Sequence, residues 1–425
     1  MNDLLAFLSE CPSRFHAAAH LGCKLDQAGY TRLSEGKTWD LVPGGKYYVT
    51  RNGSALLAFR IPRADFAGFM ISASHSDSPS FHVKENAEMT GAEGYVRLNT
   101  EGYGGMLCAP WFDRPLTVAG RVLVQAGDAI ETRLVYVDKD LLMIPSLAKH
   151  LNRTANEGFK YDLKCDTIPL MGIKSEKGTF RKLVAEAAGC AVEDILGTDL
   201  YLCLREKGFV WGADGEFVSA PALDDLQCAY GCFEGFMAAK DSASVPVFAL
   251  LDNEEIGSRT KQGADGSFLD DMVTRVCAAL GRDRAPAVAN SFMVSADNAQ
   301  GIHPNHPELY DPTHHAVMNA GVVIKHGVRY ATDGAAQAVF AALCKRAGVP
   351  VQHFSNRSDL PGGGTLGLIS TSHVSMNTVD IGLAQLSMHS CMETAGAQDT
   401  DYLVQAMTAF YGASFREDNG RFTLD

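Results

Sequence analysis

Uninterrupted apolar runs alternate with stretches of helical periodicity through most of this chain. The runs at residues 54–59, 69–73, 245–251, 291–295 and 322–325 are short and strand-like, as expected of strands covered on both faces. Amphipathic spacing at 15–21, 226–240, 268–280 and 335–347 predicts helices. That alternation, densest beyond Ala222, argues for an α/β fold: a mixed, largely parallel sheet flanked by helices. Residues 92–218 have another texture. Gly102, Gly104 and Gly105 precede β-branched runs at 118–124 and 134–137, and helical periodicity is scarce, which predicts an inserted, mainly β domain. The expected division is a discontinuous main domain of residues 1–91 plus 219–425, with 92–218 inserted.

Composition narrows the classes open to such a chain. At 425 residues it exceeds the size at which one core usually stops growing, so two domains are expected. Lys plus Arg total 37 against 50 Asp plus Glu, a formal charge of −13, with no long basic run; nucleic acid is not an expected partner. The start, Met1-Asn2-Asp3-Leu4-Leu5, lacks the basic and apolar parts of a signal peptide, and no apolar run approaches the roughly 18 residues that span a bilayer. A soluble, cytoplasmic protein without a membrane partner is the expectation. The 11 cysteines include no Cys-x-x-Cys pair, which fits neither a disulfide framework nor a zinc ribbon.

Polar groups of one chemical kind follow the apolar runs: His75 and Asp77, Glu254 and Glu255, and Asp297. In open α/β sheets, ligands gather at the carboxyl ends of strands. In His75-Ser76-Asp77, an imidazole can bind a metal ion while a nearby carboxylate accepts its other ring N–H. Adjacent Glu254 and Glu255 are costly to bury without a cation, and a metal ligand beside a general base resolves the conflict. The competing reading is a solvated helix start. Asp224 and Asp225 open a helix, where capping is the default role of either, yet one of them can bridge two ions. His389 follows an apolar patch and by itself reads as a packed residue. As a set, two histidines and three carboxylates can hold two divalent ions with one carboxylate shared. A metal-bridging hydroxide would then be available near neutral pH, with Glu254 collecting its proton.

These segments resemble the aspartyl aminopeptidase family of dizinc metallopeptidases. The resemblance lies in Ser74-His75-Ser76-Asp77-Ser78-Pro79, Leu223-Asp224-Asp225-Leu226, Asp252-Asn253-Glu254-Glu255-Ile256-Gly257-Ser258, Val294-Ser295-Ala296-Asp297-Asn298-Ala299, His303-Pro304-Asn305 and Met388-His389-Ser390. Within the insert, Trp111-Phe112-Asp113-Arg114 and Ile144-Pro145-Ser146-Leu147-Ala148-Lys149-His150-Leu151 extend it over nearly the whole chain. The resemblance implies a zinc-peptidase-like fold and hydrolysis of the N-terminal residue, Asp or Glu, from peptides with a free N-terminus. It implies two zinc ions, with His75, Glu255, Asp297 and His389 as terminal ligands and Asp224 as the bridge. Glu254 would be the general base, Asp77 the orienter of His75, and Lys325, His303 and Gln300 would meet substrate. It further implies a homo-oligomer, a tetrahedral dodecamer, in which the insert makes subunit contacts and His150 reaches a neighbour's active site.

Some positions depart from that pattern. Gln300 stands where the family has histidine, and Ala222 and Asp225 stand where Arg and Asn flank the bridging aspartate. Gln cannot carry positive charge toward an acidic side chain, so the Asp/Glu preference is the part of the expectation these changes touch. Two rivals share the motifs: a dizinc deacylase or dipeptidase acting on small amides, and a non-catalytic assembly protein that keeps the peptidase shell. His16 and His20, one helical turn apart, lack a third ligand. Cys228 and Cys232 share that spacing and read as packed. Pro361-Gly362-Gly363-Gly364-Thr365 lacks the lysine of a phosphate loop and reads as a turn near the substrate.

Overall fold

The computed structural model describes all 425 residues, Met1–Asp425. Its main sheet has nine strands, in spatial order Thr31–Leu33, Lys46–Arg51, Ala55–Arg60, Val245–Leu251, Phe69–His75, Phe292–Ala296, Asn377–Gly382, Val322–His326 and Val351–Ser355. The central four, from Val245–Leu251 to Asn377–Gly382, run parallel. Ala55–Arg60 and Val322–His326 join them antiparallel, one on each side. The sheet is thus mixed and largely parallel, as the apolar runs suggested.

Both faces of this sheet are covered, which is why its strands read as continuous apolar runs. Along Val245–Leu251, Val245, Val247, Ala249 and Leu251 enter one cluster of 28 buried residues, while Phe248 and Leu250 enter the opposite cluster of 46. Helices Arg14–Gln27, Leu223–Ala238, Gly334–Ala347 and Asp399–Tyr411 cover the larger face, and Phe268–Ala279 covers the smaller. No helix is long and apolar enough to cross a membrane. All 11 cysteines are free, and Cys228 and Cys232 are packed in the larger cluster.

A second sheet of six antiparallel strands contains Ala129–Tyr136, Leu116–Ala126, Ile195–Leu204, Ser80–Thr90, Tyr95–Tyr103 and Leu170–Ile173. With helix Thr179–Ala188 it encloses its own cluster of 22 buried residues. It begins ahead of the expected boundary at residue 92. Strand Ser80–Thr90 is broken by a register shift between Val83 and Glu88 and exposes Glu85 and Asn86, which hides its alternation in the sequence. At the far end the chain leaves this sheet at Leu204. Phe209–Trp211 and Phe217–Ala220 pair instead into a five-stranded sheet through Glu393–Gly396. The β-rich unit therefore spans about residues 80–204 rather than 92–218.

Helix Leu223–Ala238 packs along Asp399–Tyr411, and the close approach depends on glycine. A Cβ at Gly235 would stand 2.6 Å from Met407 Cβ and 3.0 Å from the backbone of Thr408. Gly235→Val should therefore destabilise the fold by about 1–3 kcal/mol through overpacking. A urea melt would show a lower midpoint with unchanged slope; an unchanged midpoint would contradict the packing described.

Candidate metal centre

Three neighbouring parallel strands deliver the first donors. His75 is the last residue of Phe69–His75; Glu254 and Glu255 form a short 3₁₀ turn after Val245–Leu251; Asp297 follows Phe292–Ala296. Asp224 arrives from the first turn of Leu223–Ala238, where neither Asp224 nor Asp225 has helical dihedrals. Capping, the default role for these aspartates, is not what they do. His389 comes from a turn after Ala384–Leu386, with φ of 67°.

The geometry orders these donors into two sets sharing one carboxylate. Asp224 Oδ1 lies 3.4 Å from His75 Nε2, and Asp224 Oδ2 lies 3.5 Å from His389 Nε2. Asp297 Oδ1 is 3.9 Å from His75 Nε2, and Glu255 Oε1 is 3.4 Å from His389 Nε2. His75–Asp224–Asp297 and Asp224–Glu255–His389 each bring their donor atoms within 4.8 Å of one another. Both imidazoles have a fixed tautomer. His75 Nδ1 donates to the Asp77 carbonyl at 3.0 Å and His389 Nδ1 to the Gly105 carbonyl at 2.7 Å, so each Nε2 turns a lone pair inward. The buried Asp224 Oδ1 has no hydrogen-bond donor. Two imidazoles and three carboxylates aimed at one another, with such an orphaned oxygen between them, fit a pair of divalent cations.

The expected contact between the Asp77 carboxylate and the His75 ring N–H is replaced by that backbone carbonyl; the nearer carboxylate oxygen stands at 3.5 Å. The Asp77 carboxylate instead accepts the backbone N–H groups of Glu254 at 3.1 Å and Glu255 at 3.2 Å, and the Tyr103 hydroxyl at 2.7 Å. Tyr103 in turn accepts from Arg14 and Asn253. Burial works against the Asp77 anion, but His75, the Arg14 guanidinium and Tyr103 hold its pKa at about 2. Two further carboxylates act in the same way. Asp225 accepts the His75 backbone N–H at 3.0 Å, and Glu393 accepts those of Asp224 at 2.9 Å and His389 at 2.7 Å. Glu393 had no signal in the sequence: it follows Cys391 and Met392 with nothing to mark it, and only the fold brings it under both segments.

Electrostatically the centre is crowded with anions. Burial, reinforced by Asp297, Asp77 and Asp224, pushes Glu254 up to about 7. Burial and Asp224 push Glu255 well above the carboxylate range, and burial raises Asp297 against the pull of Lys325. Burial also holds the Asp225 carboxyl well up, beside Asp297 and Asp224. Asp225 has the shape of the asparagine that the family pattern places at this position, and its oxygen still accepts the His75 N–H.

The remaining candidates divide. A cavity of about 150 Å³ opens on the centre and is lined by Lys325, Gln300, Tyr330, Phe354 and Asn356 together with the donors. Lys325 is buried, not solvated as a strand-end lysine would be, and its Nζ lies 3.6 Å from Asp297 Oδ2. Gly363, Gly364 and Thr365 are in the cavity wall. His303 is not; it accepts the Asn305 N–H and lies tilted against the His306 ring outside the cavity. His150 is exposed on the β-rich unit, away from this chain's cavity. His16 bonds to Ser13 at its own helix start and His20 packs on Phe7, so neither joins the centre.

A parallel sheet whose strand ends gather imidazoles and carboxylates around one cavity marks the chain as a metallohydrolase of the α/β type. Comparison with known proteins gives the family. Residues 7–411 match the family model "Aminopeptidase I zinc metalloprotease (M18)". A probable M18 family aminopeptidase 2 of Clostridium acetobutylicum is 41% identical over 421 residues, covering 96% of this chain and 97% of the relative. One from Pseudomonas aeruginosa is 39% identical over 421 residues, covering 97% of each. Among solved structures, Ape4 in complex with Nbr1 superposes with a TM-score of 0.93 at 33% identity, covering 96% of this chain and 85% of the other. The S. cerevisiae mApe1 dodecamer does so with a TM-score of 0.85 at 30% identity, covering 96% and 95%. The chain belongs to the M18 family and is a zinc-dependent aminopeptidase.

Two substitutions probe how the centre is held. Glu393→Gln leaves one oxygen for two backbone N–H groups and should weaken zinc binding about 10- to 100-fold, read by chelator competition. Asp225→Asn, an isosteric change that keeps the oxygen accepting the His75 N–H, should leave zinc content and Tm unchanged, whereas a marked loss of either would contradict that account.

Proposed function

We propose that this aminopeptidase releases single acidic residues, Asp or Glu, from peptides with a free N-terminus, using two zinc ions. His75, Asp297 and Asp224 would hold the first ion, and His389, Glu255 and Asp224 the second. The observation that carries this reading is the division of the Asp224 carboxylate between two inward-facing imidazole nitrogens. Bound there, the ions supply Lewis-acid polarisation of the scissile carbonyl, an anchor for the free amine and acidification of water.

The chain's own residues do the rest. Glu254, half-buried beside the donors and raised by burial, takes a proton from water and returns it to the leaving amine. Asp77 fixes that base by holding its backbone N–H. Lys325 is the cation in the cavity wall that favours an acidic first residue, and Gln300 lies beside the same space. His303 lies outside this cavity, and His150, exposed on the β-rich unit, serves a neighbouring subunit. That unit makes the subunit contacts of a homo-oligomer, a tetrahedral dodecamer; the dodecameric form of the yeast relative supports this reading. The 11 free thiols suit a reducing, cytoplasmic setting.

The test is an assay with substrates bearing N-terminal Asp, Glu, Leu or Lys, each with a free or blocked amine, before and after chelation and zinc return. Release of Asp or Glu confined to free amines is the expected result. Activity on blocked amines would replace this reading with a deacylase, and no turnover with zinc bound would replace it with an assembly protein. Glu254→Gln should lower kcat by about 10²- to 10⁴-fold with zinc content unchanged, measured by elemental analysis. Lys325→Met should reduce kcat/KM for N-terminal Asp roughly 10- to 100-fold relative to Leu, the loss expected of one charge-assisted contact. A parallel loss on both would remove Lys325 as selector.

A further inference from the structure

The cavity beside the metal centre is walled by two loops from different parts of the chain, and one buried side chain ties them together. Asp380 lies on strand Asn377–Gly382, between strand Phe292–Ala296, which Asp297 follows, and the strand that carries Lys325. It is fully buried. One carboxylate oxygen accepts the hydroxyl of Thr365, which closes the glycine-rich wall of Gly363 and Gly364; the other accepts the backbone N–H of Ala331, the residue after Tyr330. The Asp380 backbone N–H also donates to the Thr332 hydroxyl at 2.8 Å, so the Tyr330 loop is held at two points. The glycine-rich side is equally close: a Cβ at Gly367 would collide with the Asp380 carboxylate.

We infer that Asp380 is a positioning residue for substrate selection: it sets the spacing of the Tyr330 loop and the Gly363–Thr365 wall around Lys325 and so decides which first residue the enzyme accepts. It touches neither the candidate metal donors nor the substrate space by any hydrogen bond of its own; its effect passes through Tyr330 and Thr365, both cavity-lining. The carboxylate is needed because two donors converge on it from opposite loops. An amide offers one acceptor and turns N–H groups against the other donor. The inference rests on the aminopeptidase reading of the centre but not on which first residue is preferred.

The test compares kcat and KM of the wild type and Asp380→Asn on substrates with N-terminal Asp, Glu, Leu and Lys, with zinc content and Tm alongside. The expected result is a change of roughly 10- to 100-fold in the ratio of kcat/KM between the wild type's best substrate and the others, carried by KM, with zinc content retained. Should Asp380→Asn fail to fold, Thr365→Val, which cuts only one of the two tethers, is expected to shift the same ratio in the same direction. Equal loss on all four substrates, or unchanged ratios, overturns the inference. A wild type that favours Leu or Lys removes the acidic preference while leaving the Asp380 ratio to be judged. A wild type that releases no residue removes both.

Discussion

The rest of this structure depends on the burial of many carboxylates at one place. Asp77, Asp224, Asp225, Asp297 and Glu393 are all buried, with Glu255 close behind, and the buried cations among them are Arg14 and Lys325. Burying so many carboxylates together is tolerable only where hydrogen-bond donors or cations offset their charge. The fold meets that demand by a division of labour. Asp77, Asp225 and Glu393 take backbone N–H groups from His75, Asp224, Glu254, Glu255 and His389, the residues that present the inward-facing donors. The outer carboxylates thereby fix the backbone of the inner ones, and the inner set keeps its lone pairs directed at a common centre.

This arrangement also explains why the β-rich unit is more than an appendage. Its strand Tyr95–Tyr103 supplies the hydroxyl that binds Asp77, and Gly105 just beyond it supplies the carbonyl that orients His389. Gly104, with φ of 73°, lets this backbone pass close to Glu255, where a Cβ would stand 3.1 Å from the glutamate's own. Arg14, from the first helix layer, completes the link by binding Tyr103 at 2.6 Å and Asp252 at 3.1 Å and stacking over Tyr103 and Tyr201. The centre is thus assembled across the junction of the two sheets, and motion at that junction would be felt by both imidazoles.

The departures from the family pattern have unequal explanations. Asp225 in place of asparagine is accommodated because the two side chains share a shape and one oxygen still accepts the His75 N–H, while burial raises its carboxyl. Gln300 lies exposed at the cavity and leaves Lys325 as the cation among its lining residues. Nothing in the structure explains Ala222, which adopts a left-handed φ of 55° at the start of its helix.

The layered core is legible in the sequence, and so is the gathering of candidate donors at the strand ends. Runs such as 245–251 could only be strands covered on both faces, and polar residues placed just after them had to meet at the carboxyl ends of a parallel sheet. Local patterning carries that information because burial on both faces and strand direction are written in consecutive residues. It could not reveal Glu393, Tyr103, Gly105 or Arg14, whose partners lie up to 284 positions away along the chain. The same holds for the start of the second sheet at Ser80, masked by a bulge, and for the choice of the Asp77 carbonyl over its carboxylate by His75. These features come from the folded chain as a whole, because a hydrogen bond between distant segments depends on where packing sets two backbones, and no local pattern encodes that distance.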